Sequence, residues 1–201
     1  MIWKPHATVA AVLEQEGRFL LVEERIGGEI RLNQPADHLE EGETLIEAAV
    51  RETIEEAGLL FRPTHLVGLY QWRAPKGNSE KIHPWIFSAR LIKAHVRDGL
   101  RESTTYVVVR VGASCPKRET LNCSAFPKTG VTYLRAAFGG EIERVINDAV
   151  LDTGILGPVW LTPDETRARA AQHRSPLVMA CIEGHLAGRR HSLDLIRHLP
   201  R

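Results

Sequence analysis

The chain has 201 residues, 43% hydrophobic and 25% charged, enough for one well-buried core and too few for two large ones. Its 26 basic and 25 acidic residues leave a formal net charge of +1, so no global field favours a nucleic-acid polymer or an anionic membrane, and any anion site must be local. No segment approaches the ~20 apolar residues of a membrane helix, residues 1–13 lack a signal peptide's length and cleavage pattern, and three cysteines without C-x-x-C spacing speak against a disulfide framework, so a cytoplasmic protein with free thiols is expected.

In chain order, residues 7–13 and 19–22 are short apolar, partly β-branched runs on either side of EQEGR, and read as a β-hairpin with Gly17 in its turn. Gly27 and Gly28 break the chain again. A loop over residues 33–42 then leads into a helix whose start is written in Thr44 and Glu47, an S/T-x-x-E capping box, and whose end is Gly58 at the left-handed C′ position. Within it Ile46, Ala49, Val50, Thr53 and Ala57 recur at helical spacing and are expected to face the core, leaving Glu52, Glu55 and Glu56 together on another face. A strand over about residues 65–72 follows. The order strand, strand, helix, strand predicts an α/β domain with a mixed sheet.

Pro75 to Asn78 is a strong turn signal, after which a prompt return strand is expected. Residues 132–138, TYLRAAF, supply it only some fifty residues later. The material between, residues 81–131, carries nine basic and three acidic residues, a net +6 that leaves the rest of the chain at −5. The expectation is a single domain over residues 1–201 interrupted by this insert. It is read as a tolerated insertion, a basic lid over substrate phosphates, or an oligomer contact. Beyond it, residues 155–161 read as a strand, Thr162-Pro-Asp-Glu165 as a second capping box with Pro at N1, and Ser175-Pro176 as the start of a last helix in which Cys181 is core.

The acids of the first helix carry the chemical signal. Like charges at i,i+4 repel by a few tenths of a kcal/mol, more when shielded from water, so a positive partner is required. One reading is Arg51, within reach of Glu47 and Glu55 at i,i+4 on a solvated face. The other is a divalent cation, for which hard carboxylate oxygens on a rigid helix are suited. His38 reads either as a loop hydrogen-bonder or as an acid or base beside those acids; Trp72 and Tyr70 read either as core or as platforms for a substrate base. No G-x-x-x-x-G-K-[ST] loop, G-x-S-x-G elbow or H-E-x-x-H pair competes with this reading.

Glu43, then Arg51-Glu52, Glu55-Glu56 and Gly58-Leu59, resembles the Nudix box G-x5-E-x7-R-E-U-x-E-E-x-G-U, where U is bulky and apolar. Asp37 replaces its first Gly and Thr53 occupies a U position. NQPADHLE from residue 33, YQWRAP from residue 70 and HRSPLV from residue 173 look like the NudJ-type phosphatase branch of that family. The resemblance implies a Nudix α/β/α sandwich with a mixed sheet. It also implies a cation, Mg²⁺ or Mn²⁺, held by Glu55, Glu56 and the main-chain carbonyl of Ala36. Glu52 is then the general base, Arg51 orients the acids, and Glu43 either braces the loop entering the helix or takes part in catalysis. His38, Trp72 and Arg174 are implied at the substrate. Small phosphorylated substrates follow, namely nucleoside di- and triphosphates and pyrimidine or thiamine pyrophosphates. Asp37 keeps open a catalytically impaired protein that binds a phosphorylated ligand.

Overall fold

The computed structural model describes residues 4–75 and 130–199, which fall within one compact unit, Met1–Lys76 with Thr129–Arg201. The expected insert lies outside the described residues except at its end, because Gly130 and Val131 already belong to a strand.

The EQEGR turn forms as expected: Glu16 and Gly17 take positive φ, 52° and 75°, and close β2 (Glu14–Gln15) onto β3 (Arg18–Ile26). The hairpin itself is shorter than predicted. β1 (His6–Val12) leaves β3 and pairs in parallel with β6 (Gly130–Val145), Val9 opposite Ala136 and Ala11 opposite Phe138. The reason is burial. Val9 to Leu13 are all at most 1% exposed, so this strand is covered on both faces, a condition that parallel pairing inside a layered domain meets and a half-solvated hairpin does not.

A second hairpin was not anticipated. Gly27 and Gly28, φ 58° and 88°, turn β3 into β4 (Glu29–Asn33) with Ile26 opposite Glu29, so residue 33 ends a strand rather than opening a long loop. β7 (Ile155–Leu161) has the predicted bounds and pairs with β3; Val22 faces both Asn33 and Pro158, which puts β4 and β7 on opposite edges of β3. β5 (Leu59–Pro75) runs antiparallel to β6 and exceeds the predicted strand at both ends. Two sheets result, β1-β6-β5 with mixed pairing and β2-β3-β4 with β7 added on β3.

Period-two alternation distributes the strand residues between two cores. Val9, Ala11, Leu20, Val22, Ala136 and Phe138 point to one side, where α1 (Leu45–Ala57) contributes Ala48, Ala49 and Ala57. Val12, Phe19, Leu21, Val67 and Ala137 point to the other, where α3 (Leu177–Leu186) contributes Leu177, Val178, Cys181 and Ile182. Helices on both faces of mixed pairing make the α/β/α sandwich. Fully buried side chains such as Phe19, Phe61 and Phe138 each stabilise it by roughly 1.5–3 kcal/mol.

The expected core face of α1 forms: Ala49, Thr53 and Ala57 are buried together with Ala48, and Ile46 and Val50, partly buried, pack against the same core while lining with Ile54 a shallow concavity at its edge. Small residues let the helix settle against the strands, and that seating carries Glu52 and Glu56 inward with them. Thr53 fits at an apolar position because its Oγ1 donates to the Ala49 carbonyl at 2.7 Å. α2 (Pro163–Ala168) starts at the predicted Thr162–Glu165 box. Among the described residues no helix is long and apolar enough to cross a membrane.

Candidate active site

The site is built on the start and the inner face of α1. The Glu47 N–H donates to Thr44 Oγ1 at 3.2 Å and the Thr44 N–H to Glu47 Oε2 at 2.8 Å, and Gly58 closes the helix with φ 65°. This fixes the phase of Arg51, Glu52, Glu55 and Glu56 between them. Arg51 is their hub: Nε and Nη2 donate to the two Glu43 oxygens at 3.0 and 2.7 Å, and Nη1 to Glu52 Oε1 at 2.5 Å and Glu55 Oε2 at 2.9 Å. Nη2 also reaches the His38 carbonyl at 3.3 Å. Glu43 in turn accepts the Glu40 N–H at 2.7 Å, so it ties the entering loop to the helix. With Arg51 on both oxygens, the Glu43 carboxyl lies below the usual range.

Glu52 and Glu56 are 3% and 6% exposed. Burial pushes Glu52 up to about 7, against the pull of Arg51 and with added repulsion from Asp37 and Glu55. Burial pushes Glu56 further, to about 8; the Ala36 N–H donates to its Oε2 at 2.8 Å, but Glu52, Glu24 and Asp37 repel the charged form. Glu55 is more open, with a side chain 37% exposed.

The loop over residues 35–39 runs beside β1 as if it were a strand. Pro35 and Asp37 carbonyls accept from Ala11 and Val9 at 3.0 Å, and Leu39 donates to Ala7 at 3.1 Å. Ala36 lies between the two acceptors, 4% exposed, and among the described residues its carbonyl accepts no hydrogen bond. Asp37 does not take positive φ; among the described residues Glu16 is the non-glycine that does. The family's glycine is therefore not required here for backbone freedom. The Asp37 side chain is 55% exposed, with Oδ1 2.6 Å from His38 Nδ1.

The three expected substrate residues fall in different surroundings. His38 is half exposed, and its Nε2 lies 2.9 Å from His6 Nδ1. Trp72 stacks on Tyr133, ring centroids 5.5 Å apart at 22°, whereas Tyr70 is 7% exposed and packs in the core, which removes it as a platform. Arg174 pairs with Glu24, a buried acid of β3. Burial raises Glu24 despite Arg174. Glu24 was missed in the sequence although it lies two and four residues after inward-facing Val22 and Leu20. Arg135 is also buried, on the face of β6 shared with Tyr133 and Ala137, the side on which α3 packs.

Hard oxygen donors on one buried surface are what a divalent cation takes. The acids with raised pKa and the unbonded Ala36 carbonyl fit such an ion. Among the described residues, however, no three His, Cys, Asp or Glu side chains stand close enough together to hold a metal, and Arg51 occupies one oxygen each of Glu52 and Glu55.

The chain matches the family model described as NUDIX domain over residues 4–101. It is 32% identical over 195 residues to Phosphatase NudJ of Escherichia coli (strain K12), covering 97% of this chain and 92% of that protein, and matches Phosphatase NudJ of Shigella sonnei (strain Ss046) to the same extent. A solved NUDIX hydrolase from Nitrosomonas europaea is 37% identical with a TM-score of 0.69, covering 98% of each chain. The MutT protein from Methanosarcina mazei Go1, 14% identical with a TM-score of 0.52 over 94% of this chain and 100% of that one, shares the fold alone.

Proposed function

Because the chain belongs to the Nudix hydrolase family, we propose that it is a Mg²⁺- or Mn²⁺-dependent enzyme that cleaves phosphoanhydride bonds and releases phosphate. The observation that carries this reading is the pair of buried carboxylates Glu52 and Glu56, 3% and 6% exposed, whose charged forms repel one another and are further repelled by Asp37. Burying two acids in this way is costly unless a cation compensates them.

Glu55, Glu56 and the Ala36 carbonyl would hold the ion. When bound, it supplies positive charge to the pyrophosphate oxygens as the P–O bond breaks. Everything else falls to the chain's own side chains. Glu52 has one oxygen fixed by Arg51 and a pKa near neutrality, so it accepts the proton as a water oxygen bonds to phosphorus and the bridging P–O bond breaks. Arg51 orients Glu52 and Glu55 against Glu43. His38, Trp72 and Arg174 line the substrate side.

Substrates are proposed by likeness to the NudJ phosphatases: nucleoside di- and triphosphates, and pyrimidine or thiamine pyrophosphates, met in the cytoplasm. The test is phosphate release across that panel with Mg²⁺ and with EDTA. Activity is expected to vanish in EDTA. Glu56→Gln should raise the Mg²⁺ concentration needed for half-maximal rate, and Glu52→Gln should lower kcat by about 10²- to 10⁴-fold with little change in that concentration. Ligand binding without turnover under any metal would instead favour the impaired binding protein, for which the exposed charge of Asp37 is the motive.

A further inference from the structure

Two imidazoles face each other beside the loop of residues 35–39. His6 Nδ1 and His38 Nε2 lie 2.9 Å apart, with ring centroids 5.1 Å apart and planes inclined at 65°. Backbone pairing brings these residues together across 32 positions of sequence. Thr8 bridges to His38, the Leu39 N–H donates to the Ala7 carbonyl at 3.1 Å, and His6 is seated on β6 opposite Tyr133. Both residues are exposed, so neither ring is locked by the core.

A third side chain sets their chemistry. Asp37 Oδ1 stands 2.6 Å from His38 Nδ1. An ionised carboxylate only accepts, so His38 carries its hydrogen on Nδ1 and turns the lone pair of Nε2 toward His6. His6 donates its Nδ1–H to that lone pair, and shifting this hydrogen to its own Nε2 frees a second lone pair at the same point. An outer carboxylate that fixes the tautomer of a histidine and raises its basicity is the usual support of a metal-binding imidazole. The family pattern has glycine where this chain has Asp37, and glycine brings no side chain for that purpose.

The spacing fits an ion. Zn–N bonds of about 2.0–2.1 Å at a tetrahedral angle put two imidazole nitrogens about 3.3 Å apart and their ring centroids about 5.2 Å apart. The centroids already stand at that separation, and the nitrogens need to part by about 0.4 Å, a small rotation for two solvent-facing rings. We infer that His6 and His38, backed by Asp37, form a second cation site, for a transition-metal ion of the Zn²⁺ class, separate from the carboxylates of α1. Imidazole nitrogen suits Zn²⁺, whereas Mg²⁺ takes oxygen. Among the described residues no third His, Cys, Asp or Glu joins the pair. Structural zinc sites are closed by four protein ligands, so an ion held by two is exchangeable. When bound it staples the loop that carries Ala36 to β1. The competing reading is a hydrogen bond between two rings and nothing more.

Calorimetric titration with Zn²⁺ separates the two. Saturating Mg²⁺ keeps the α1 carboxylates from competing, and accessible thiols are alkylated beforehand under native conditions. His6→Asn and His38→Gln each keep a polar atom near the facing nitrogen, and with it the hydrogen bond, but remove an imidazole. Each should weaken Zn²⁺ at least tenfold while the melting temperature of the metal-free protein stays unchanged. Asp37→Gly, which removes the outer acceptor, should weaken it about 10- to 100-fold. Zinc affinity equal to the parent's in both histidine variants, zinc displaced by excess Mg²⁺, or no zinc binding by the parent overturns the site and leaves the hydrogen bond alone. If a variant fails to fold, Co²⁺ in the parent decides under the same conditions: intense visible bands of tetrahedral coordination support the site, and their absence overturns it. Failure of the hydrolase reading leaves this one standing, because the readout is bound metal and not phosphate release.

Discussion

Arg51 closes a planar fork on Glu43, Nε to Oε2 at 3.0 Å and Nη2 to Oε1 at 2.7 Å, and the edge of the same guanidinium that faces away from Glu43 holds Glu52 and Glu55. Because the group is rigid, the loop that carries Glu43 fixes the angle at which Glu52 is presented. Arg51→Lys keeps the charge and loses that transmission. Kinetics should show kcat falling about 10- to 100-fold, the equivalent of one or two charge-assisted hydrogen bonds, with KM changed little. An unaltered kcat would mean that Glu52 is oriented by its burial alone.

Stability of the metal-free protein should fall as pH rises from 6.5 to 9. Glu52 and Glu56 titrate near 7 and 8 in the folded chain, above the ordinary carboxylate value of 4.5, so folding favours their protonated forms. That stabilisation is complete below about pH 4.5 and is lost as pH passes each folded value. His65, lowered to about 4 by burial, acts in the opposite sense but is neutral in both folded and unfolded chains above 6.5, so it does not contribute to the slope in this window. In EDTA the melting temperature should drop by several degrees, on the order of 1–3 kcal/mol, and added Mg²⁺ should flatten the decline. A flat EDTA profile would show that neither acid is charged at a cost.

The helical half of the site was legible because capping is a local code. Thr44 with Glu47 and Thr162 with Glu165 each fixed a helix start within four residues, and Gly58 fixed an end. The sheet half was not legible, because its partners are remote. β1 pairs with a strand more than a hundred residues away, and nothing in residues 6–12 names it. Glu24 comes from a strand whose alternation marks it as inward-facing, yet alternation says only that a polar group is buried, never beside what. Helical spacing places Ile46, Ala49, Val50, Thr53 and Ala57 on the core side, where they pack, but not that Glu52 and Glu56 are buried beside them, because a close seat on small side chains such as Ala48 and Ala49 draws the flanking acids inward.

Removal of residues 77–128 should leave a folded enzyme. β5 and β6 stay paired to their ends, Ala74 opposite Val131 and Pro75 opposite Gly130, so the chain leaves and re-enters at adjacent positions that a short Asn-Gly turn can span. Melting temperature and kcat/KM of such a variant are expected within about 1 kcal/mol and a few fold of the full chain, the ordinary range for changes that leave a core intact. Loss of activity with the melting temperature kept would give the basic segment a role at the substrate; loss of the fold would make it part of the core.

The substitution at the family's glycine gives the sharpest test. Asp37 needs no positive φ, so its backbone is unstrained, and its carbonyl is held by the Val9 N–H at 3.0 Å whichever side chain is present. What it adds is charge. Its carboxylate raises both Glu52 and Glu56 and stands on the loop that presents Ala36, where substrate phosphates would approach. Two unit charges about 4 Å apart interact by roughly 4 kcal/mol at an effective dielectric of about 20. Solvent at this half-exposed group cuts that to ~1 kcal/mol, worth roughly fivefold in rate. Asp37→Gly is therefore expected to raise kcat/KM severalfold without changing the metal requirement. Asp37→Asn should reproduce the gain, since it removes the charge but keeps the side chain's size and a polar contact to His38. A gain in the Gly variant alone would assign the effect to bulk rather than charge. An equal or lower rate in both would make Asp37 a contributor to the site, with its carboxylate helping to hold the cation.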